Sequence, residues 1–88
     1  KSRASRTLIT GSLIASFDAR DSRLVDVPDG GLLHIERSVL AEGPRSENGD
    51  LVGYGLELPR DREPGRMDRV ILRGTTFYSD RLQATRLL

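Results

Sequence analysis

Arg69-Val70-Ile71-Leu72-Arg73-Gly74 is a short apolar run that stops on Arg-Gly, with Thr75, Thr76, Phe77 and Tyr78 directly behind it. Its composition reads as a buried strand. Gly74 lets the backbone turn sharply or approach a ligand closely. Arg73, at the strand end, is a permanently charged fork of donors. Thr75 to Ser79 then reads as a further strand, with Phe77 turned to the core and Tyr78 to the surface, because neighbours on a strand face opposite ways.

The same pattern of short strand and turn runs back along the chain. Residues 7–17 alternate with period two, which predicts one long strand with Ile9, Leu13, Ala15 and Phe17 inward. Gly11 inside it marks a bulge or a sharp bend. Residues 24–27 form a second strand, and Pro28-Asp29-Gly30-Gly31 is a turn, since proline presets φ and glycine accepts positive φ. Residues 32–42 read as a third strand with Leu33, Ile35, Val39 and Ala41 inward. Residues 51–58 read as a fourth with Val52, Tyr54, Leu56 and Leu58 inward. Residues 59–68 carry Pro59, Pro64 and Gly65 among charges and read as an exposed loop. Residues 80–88 fit either a short helix capped by Asp80 or a last strand. No internal repeat stands out. Five or six short strands with glycines inside them predict one domain over residues 1–88: an all-β, strongly bent antiparallel barrel with no open edges.

Eighty-eight residues suffice for one modest core. Without cysteine there is neither disulfide nor thiolate metal site. No apolar run is long enough to cross a bilayer and no leader pattern is visible, so a cytoplasmic or nuclear location is expected. The net charge of +1 hides a segregation: residues 1–20 carry +3, residues 21–57 carry −5 and residues 58–88 carry +3. If the two ends meet in space they make one positive face. Thirteen of the fourteen basic residues are arginine, the side chain suited to phosphate forks and interface ion pairs.

Signatures of catalysis are thin. His34 is the sole histidine and reads as a surface residue. There is no nucleophile elbow. Gly53-Tyr54-Gly55 lacks the remaining glycine and the helix start of a phosphate loop. The acidic residues of 61–68 miss calcium-loop spacing. The expectation is a non-enzyme without metal or cofactor.

Two segments resemble the Sm/LSm family of small ring-forming barrels. Gly11-Ser12-Leu13-Ile14-Ala15-Ser16-Phe17-Asp18, followed by Leu24-Val25, is similar to the family's first motif, and Val70-Ile71-Leu72-Arg73-Gly74 to its second. The resemblance implies an Sm-like or SH3-like barrel that stacks and clamps single-stranded RNA. It also implies RNA contacts from Phe17, Asp18, Arg20, Arg23, Arg73 and Gly74. Gly11 and Phe17 stand one residue further apart than in the family, and Ser22 and Arg23 occupy the neighbourhood of its base-reading asparagine. That departure favours the family's scaffold members, which pair with other subunits through strand addition. The expected function is thus a scaffold or auxiliary subunit of a (ribonucleo)protein assembly, with an RNA-binding ring subunit as the alternative. A further alternative comes from Leu24-Val25-Asp26-Val27-Pro28-Asp29-Gly30-Gly31, which is similar to the ligand turn of PilZ domains that bind a cyclic dinucleotide, with Pro28 replacing a serine. A structural module such as a coat or tail component is a last option.

Overall fold

The computed structural model describes residues 1–20, 23–57, 67–81 and 83–88. Among these it contains eight strands: β1 (Arg6–Thr10), β2 (Leu13–Ala15), β3 (Val25–Val27), β4 (Leu32–Glu36), β5 (Val39–Glu42), β6 (Val52–Tyr54), β7 (Arg69–Arg73) and β8 (Thr76–Ser79). They form three sheets, in the orders β1-β4-β7, β2-β5-β8 and β3-β6. Every pairing is parallel. The chain therefore winds through three coils, each laid against the last, as in a β-solenoid.

This overturns the expected antiparallel barrel. Parallel neighbours need a long return path between them, and here the other two sheets supply it. Register partners lie 26 residues apart from Arg6 to Leu32 and 37 apart from Leu32 to Arg69. The extra residues of the second return fall between Tyr54 and Arg69. Nor do the sheets close: β1 and β2 edge one end of the stack, β7 and β8 the other. The described residues contain no helix. Arg86 instead makes a parallel bridge to Asp50, and Leu51 and Val52 donate backbone hydrogen bonds to the carbonyls of Arg86 and Leu87. At the start of the chain the Ser2 N–H donates to the Asp26 carbonyl at 2.8 Å. Leu58 and Leu82 lie outside the described residues.

A repeat exists after all, and it is conformational first. Gly11, Arg37 and Gly74 hold φ of 55°, 48° and 55° at the corner between the first and second sheets. The residue after each is a hydroxyl: Ser12, Ser38 and Thr75. Each donates to the carbonyl two positions back, on Thr10 at 2.8 Å, Glu36 at 2.9 Å and Arg73 at 3.1 Å. The hydroxyl thus satisfies the carbonyl freed where the strand ends. Two of the three corners use glycine, which enters the left-handed region without a Cβ penalty.

The corner also shifts which residues face inward. Alternation carries Ile9, Leu33 and Ile35 to the core as expected, and Val70 and Leu72 pack there too, but two residues are spent turning. Ile14, Leu40 and Phe77 then face inward. Leu13 and Val39, expected inward, are 69% and 41% exposed, and Phe17 is 76% exposed. The long strands expected over residues 7–17 and 32–42 are each two strands meeting at this corner. Leu56 is likewise on the surface, while Val52 and Leu51 are buried. Most of the buried core belongs to the middle coil, in Leu33, Ile35, Leu40, Leu51 and Val52, because only that coil has a neighbour on both sides.

Candidate functional site

Strand register distributes the functional candidates over separate surfaces. Side chains at alternate positions of the first sheet point out of the coil. Across β1, β4 and β7 they form three rows: Arg6, Leu32 and Arg69; Leu8, His34 and Ile71; Thr10, Glu36 and Arg73. Arg6, Arg69 and Arg73 are exposed, and none of them makes an ion pair among the described residues. His34 Nε2 sits 3.9 Å from Glu36 Oε1, too far for a hydrogen bond. At the rim the Arg37 guanidinium donates to Thr10 Oγ1 at 3.4 Å.

The basic ends of the chain thus meet only in part. Arg6 shares a face with Arg69 and Arg73. Lys1 and Arg3 lie by the third sheet, where their charges are answered. Lys1 Nζ is 3.6 Å from Asp26 and 3.7 Å from Glu57, and Arg3 is 2.7 Å from Asp29 and 3.4 Å from Glu57.

Of the residues implied for RNA, Arg73 and Gly74 stand together at the first corner. The Arg37 N–H donates to the Arg73 carbonyl at 2.9 Å, and the Gly11 N–H to the Glu36 carbonyl at 3.1 Å, so Gly11, Arg37 and Gly74 are stacked. Phe17 and Asp18 are not there. They follow β2 at the far end of the second sheet, beside Gly43, which puts them roughly 15–20 Å away by strand rise. Arg20 is exposed, and its carbonyl accepts from the Glu47 N–H at 2.5 Å. Arg23 packs over the third sheet: a Cβ on Gly53 would lie 2.5 Å from Arg23 Cδ, so glycine makes room for this side chain. Its guanidinium reaches Asp50 at 3.7 Å, and its buried Nε has no hydrogen-bond partner. The Pro28-Asp29-Gly30-Gly31 turn forms as expected, closed by a Gly30 N–H to Val27 carbonyl bond of 3.2 Å, with Asp29 engaged by Arg3.

Two features escaped the sequence reading. The first is the pair of open sheet edges. Leu32 donates to the Ser5 carbonyl and Gly11 to the Glu36 carbonyl, so the odd-numbered residues of β1 turn their backbone groups to β4. The N–H and C=O of Leu8 therefore face away from the coil stack. The same reasoning on Val39 to Ser12 and Ser16 to Ala41 turns the N–H and C=O of Leu13 outward. At the other end, Arg69 donating to Gly31 and Arg37 to Arg73 leave the backbone groups of Val70 and Leu72 facing outward. The second is a polar layer inside the coils. Glu42, 1% exposed, accepts from Ser79 Oγ at 3.1 Å and Thr85 Oγ1 at 3.2 Å and lies 3.8 Å from Arg81 Nε. A repeat of hydroxyl and apolar positions around residues 12, 38 and 75 was the available signal for the coils, and hence for both features.

No helix among the described residues is long and apolar enough to cross a membrane. Compared with known protein families, curated proteins and solved structures, the chain matches no family model, no curated protein and no solved structure.

Proposed function

We propose that this protein is a non-catalytic assembly module that joins other protein subunits by parallel strand addition at the ends of its coil stack. The observation carrying this is the pair of unsatisfied edges. The backbone of Leu8 and Leu13 at one end, and of Val70 and Leu72 at the other, offers donors and acceptors at strand spacing with no partner strand among the described residues. Such an edge pairs with any chain that presents a matching ladder. β1, β2, β7 and β8 contain no proline and keep regular register, while Arg6, Arg69 and Arg73 place charges on two of these edges. Inside the ladder, rows such as Ile9, Ile35 and Leu72 present an apolar surface that a further coil would cover.

Proline scanning of the edge tests this. Leu8→Pro and Leu13→Pro remove N–H groups that the coil stack does not use and leave its own ladder intact. Both are expected to weaken self-association or partner capture, read by sedimentation and native mass spectrometry, by at least tenfold. Thermal stability of the dispersed chain should change little. Association that survives both substitutions unchanged would overturn the proposal.

A second reading is single-stranded RNA binding on the outer face of the first sheet, favoured by Arg6, Arg69 and Arg73, which are exposed on one side and make no ion pair among the described residues. A uridine-rich RNA should then bind with a steep salt dependence. Arg73→Ala should reduce the slope of log affinity against log salt by roughly one unit. An unchanged slope would remove this reading.

A further inference from the structure

The outer face of the second sheet carries a groove of about 420 Å³ that strand addition does not use. Its shape follows from register. The middle strand supplies a floor of small residues, Ala41 in β5 and Gly43 just beyond it. Tyr78 of β8 pairs with Ala41, and Phe17 lies against Gly43, where a Cβ would collide with the Phe17 carbonyl. The flanking strands are two spacings apart, about 10 Å. Phe17, beyond β2, and Tyr78, in β8, thus line the groove on either side of the small residues Ala41 and Gly43, and Asp18 and Asp80 complete the lining.

Phe17 is costly where it stands. It is 76% exposed, and its φ of 48° lies in the left-handed region that bulky side chains avoid. The ring adds nothing to the core, so burial does not account for it. Tyr78 is also largely exposed, and its hydroxyl donates to Asp80 Oδ1 at 2.7 Å. That hydrogen bond and then the charge of Asp80 hold the Tyr78 proton above its ordinary range. The third carboxylate of the lining, Glu42, has its charge met by Arg81 inside the coil. Among the described residues no lysine or arginine lines the groove.

Aromatic faces carry negative potential and attract organic cations. Asp18 and Asp80, which make no ion pair among the described residues, add to that potential. An anion is repelled, and a neutral polyol gains nothing from the charge. We propose that this groove is a binding site for the cationic side chain of a lysine or arginine presented on an extended peptide segment of a partner protein. The site lies on the side of the coil stack, so it stands independently of strand addition at the ends.

Blocked pentapeptides with lysine, arginine, trimethyl-lysine or glutamine between paired glycines test it by NMR titration of the folded chain. The three cationic peptides should saturate, with the largest shifts at Phe17, Ala41, Gly43 and Tyr78. The glutamine peptide should bind at least tenfold more weakly. Phe17→Ala should weaken the lysine peptide roughly three- to fivefold, as loss of one exposed cation–π contact does. Asp18→Asn should weaken it and flatten its salt dependence. Both positions are exposed, so unchanged melting of the two variants separates binding from folding. Equal binding of the glutamine peptide, indifference to Phe17→Ala, or saturation by a neutral oligosaccharide where the lysine peptide fails would each overturn the proposal.

Discussion

Glu42→Ala is expected to destabilise the protein by roughly 3–5 kcal/mol, the usual cost of breaking a buried ion pair from one side. The total stability of a chain this size is roughly 4–13 kcal/mol, so the variant loses a large share of it and, at the lower end of that range, should not fold. The reason is what Glu42 leaves behind. Its side chain is fully buried and that of Arg81 is 6% exposed. Without the carboxylate, the guanidinium keeps its bonds to the Ala84 carbonyl at 3.0 Å and Thr85 Oγ1 at 3.2 Å but loses its counter-charge. Ser79 and Thr85 lose the acceptor they share. Glu42→Gln retains an acceptor and should cost less. Replacing Glu42 and Arg81 together by methionine should recover much of the loss, since a buried pair often breaks even against apolar packing. Urea denaturation followed by circular dichroism measures all three. A Glu42→Ala variant as stable as the parent would mean that the polar layer does not hold the far end of the second sheet together.

Ile35→Ala should cost about 2–5 kcal/mol by removing a fully buried side chain and leaving a cavity. Ile9→Ala should cost clearly less, although the residue is the same and the two are register partners. Ile35 is covered by coils on both sides, with Ile9 on one and Leu72 on the other, whereas Ile9 has a single covering neighbour. In a stack, stability is a sum of units and nearest-neighbour interfaces, so a middle residue takes part in two interfaces and an end residue in one. Equal losses at the two positions would contradict the three-coil arrangement, because a closed barrel would treat them alike.

The strands themselves were legible because alternation needs only the chain's own pattern. Leu33, Ile35, Ile9, Val52 and Phe77 face the core as period two requires, and the 28–31 turn forms as its proline and glycines demand. Gly11 was legible as a bend, and it is one. What misled was the assumption that alternation continues through the bend. The corner consumes two residues and resets the phase, so Leu13, Val39 and Phe17 come out on the surface while Ile14 and Leu40 go in. Arg37 hid the equivalence of the three corners, since a left-handed arginine does not look like a glycine. The candidate site was legible in pieces: Arg73 and Gly74 do stand at a sheet corner, but Phe17 and Asp18 belong to a different one.

By itself the sequence determined that this chain is built of short strands, where three of them (Val25–Val27, Arg69–Arg73 and Thr76–Ser79) begin and end to within a residue, and which side chains of β1 and β4 leave water. These depend on local sterics and on burial of a residue relative to its immediate neighbours. Tertiary structure alone decided that the strands run parallel, that they stack as coils 26 and 37 residues apart, and that β1 and β2 at one end and β7 and β8 at the other have no further partner strand among the described residues. A strand has the same propensity and the same alternation in either orientation. Only the return path, set by how the corners at Gly11, Arg37 and Gly74 fold back across the molecule, chooses its partner.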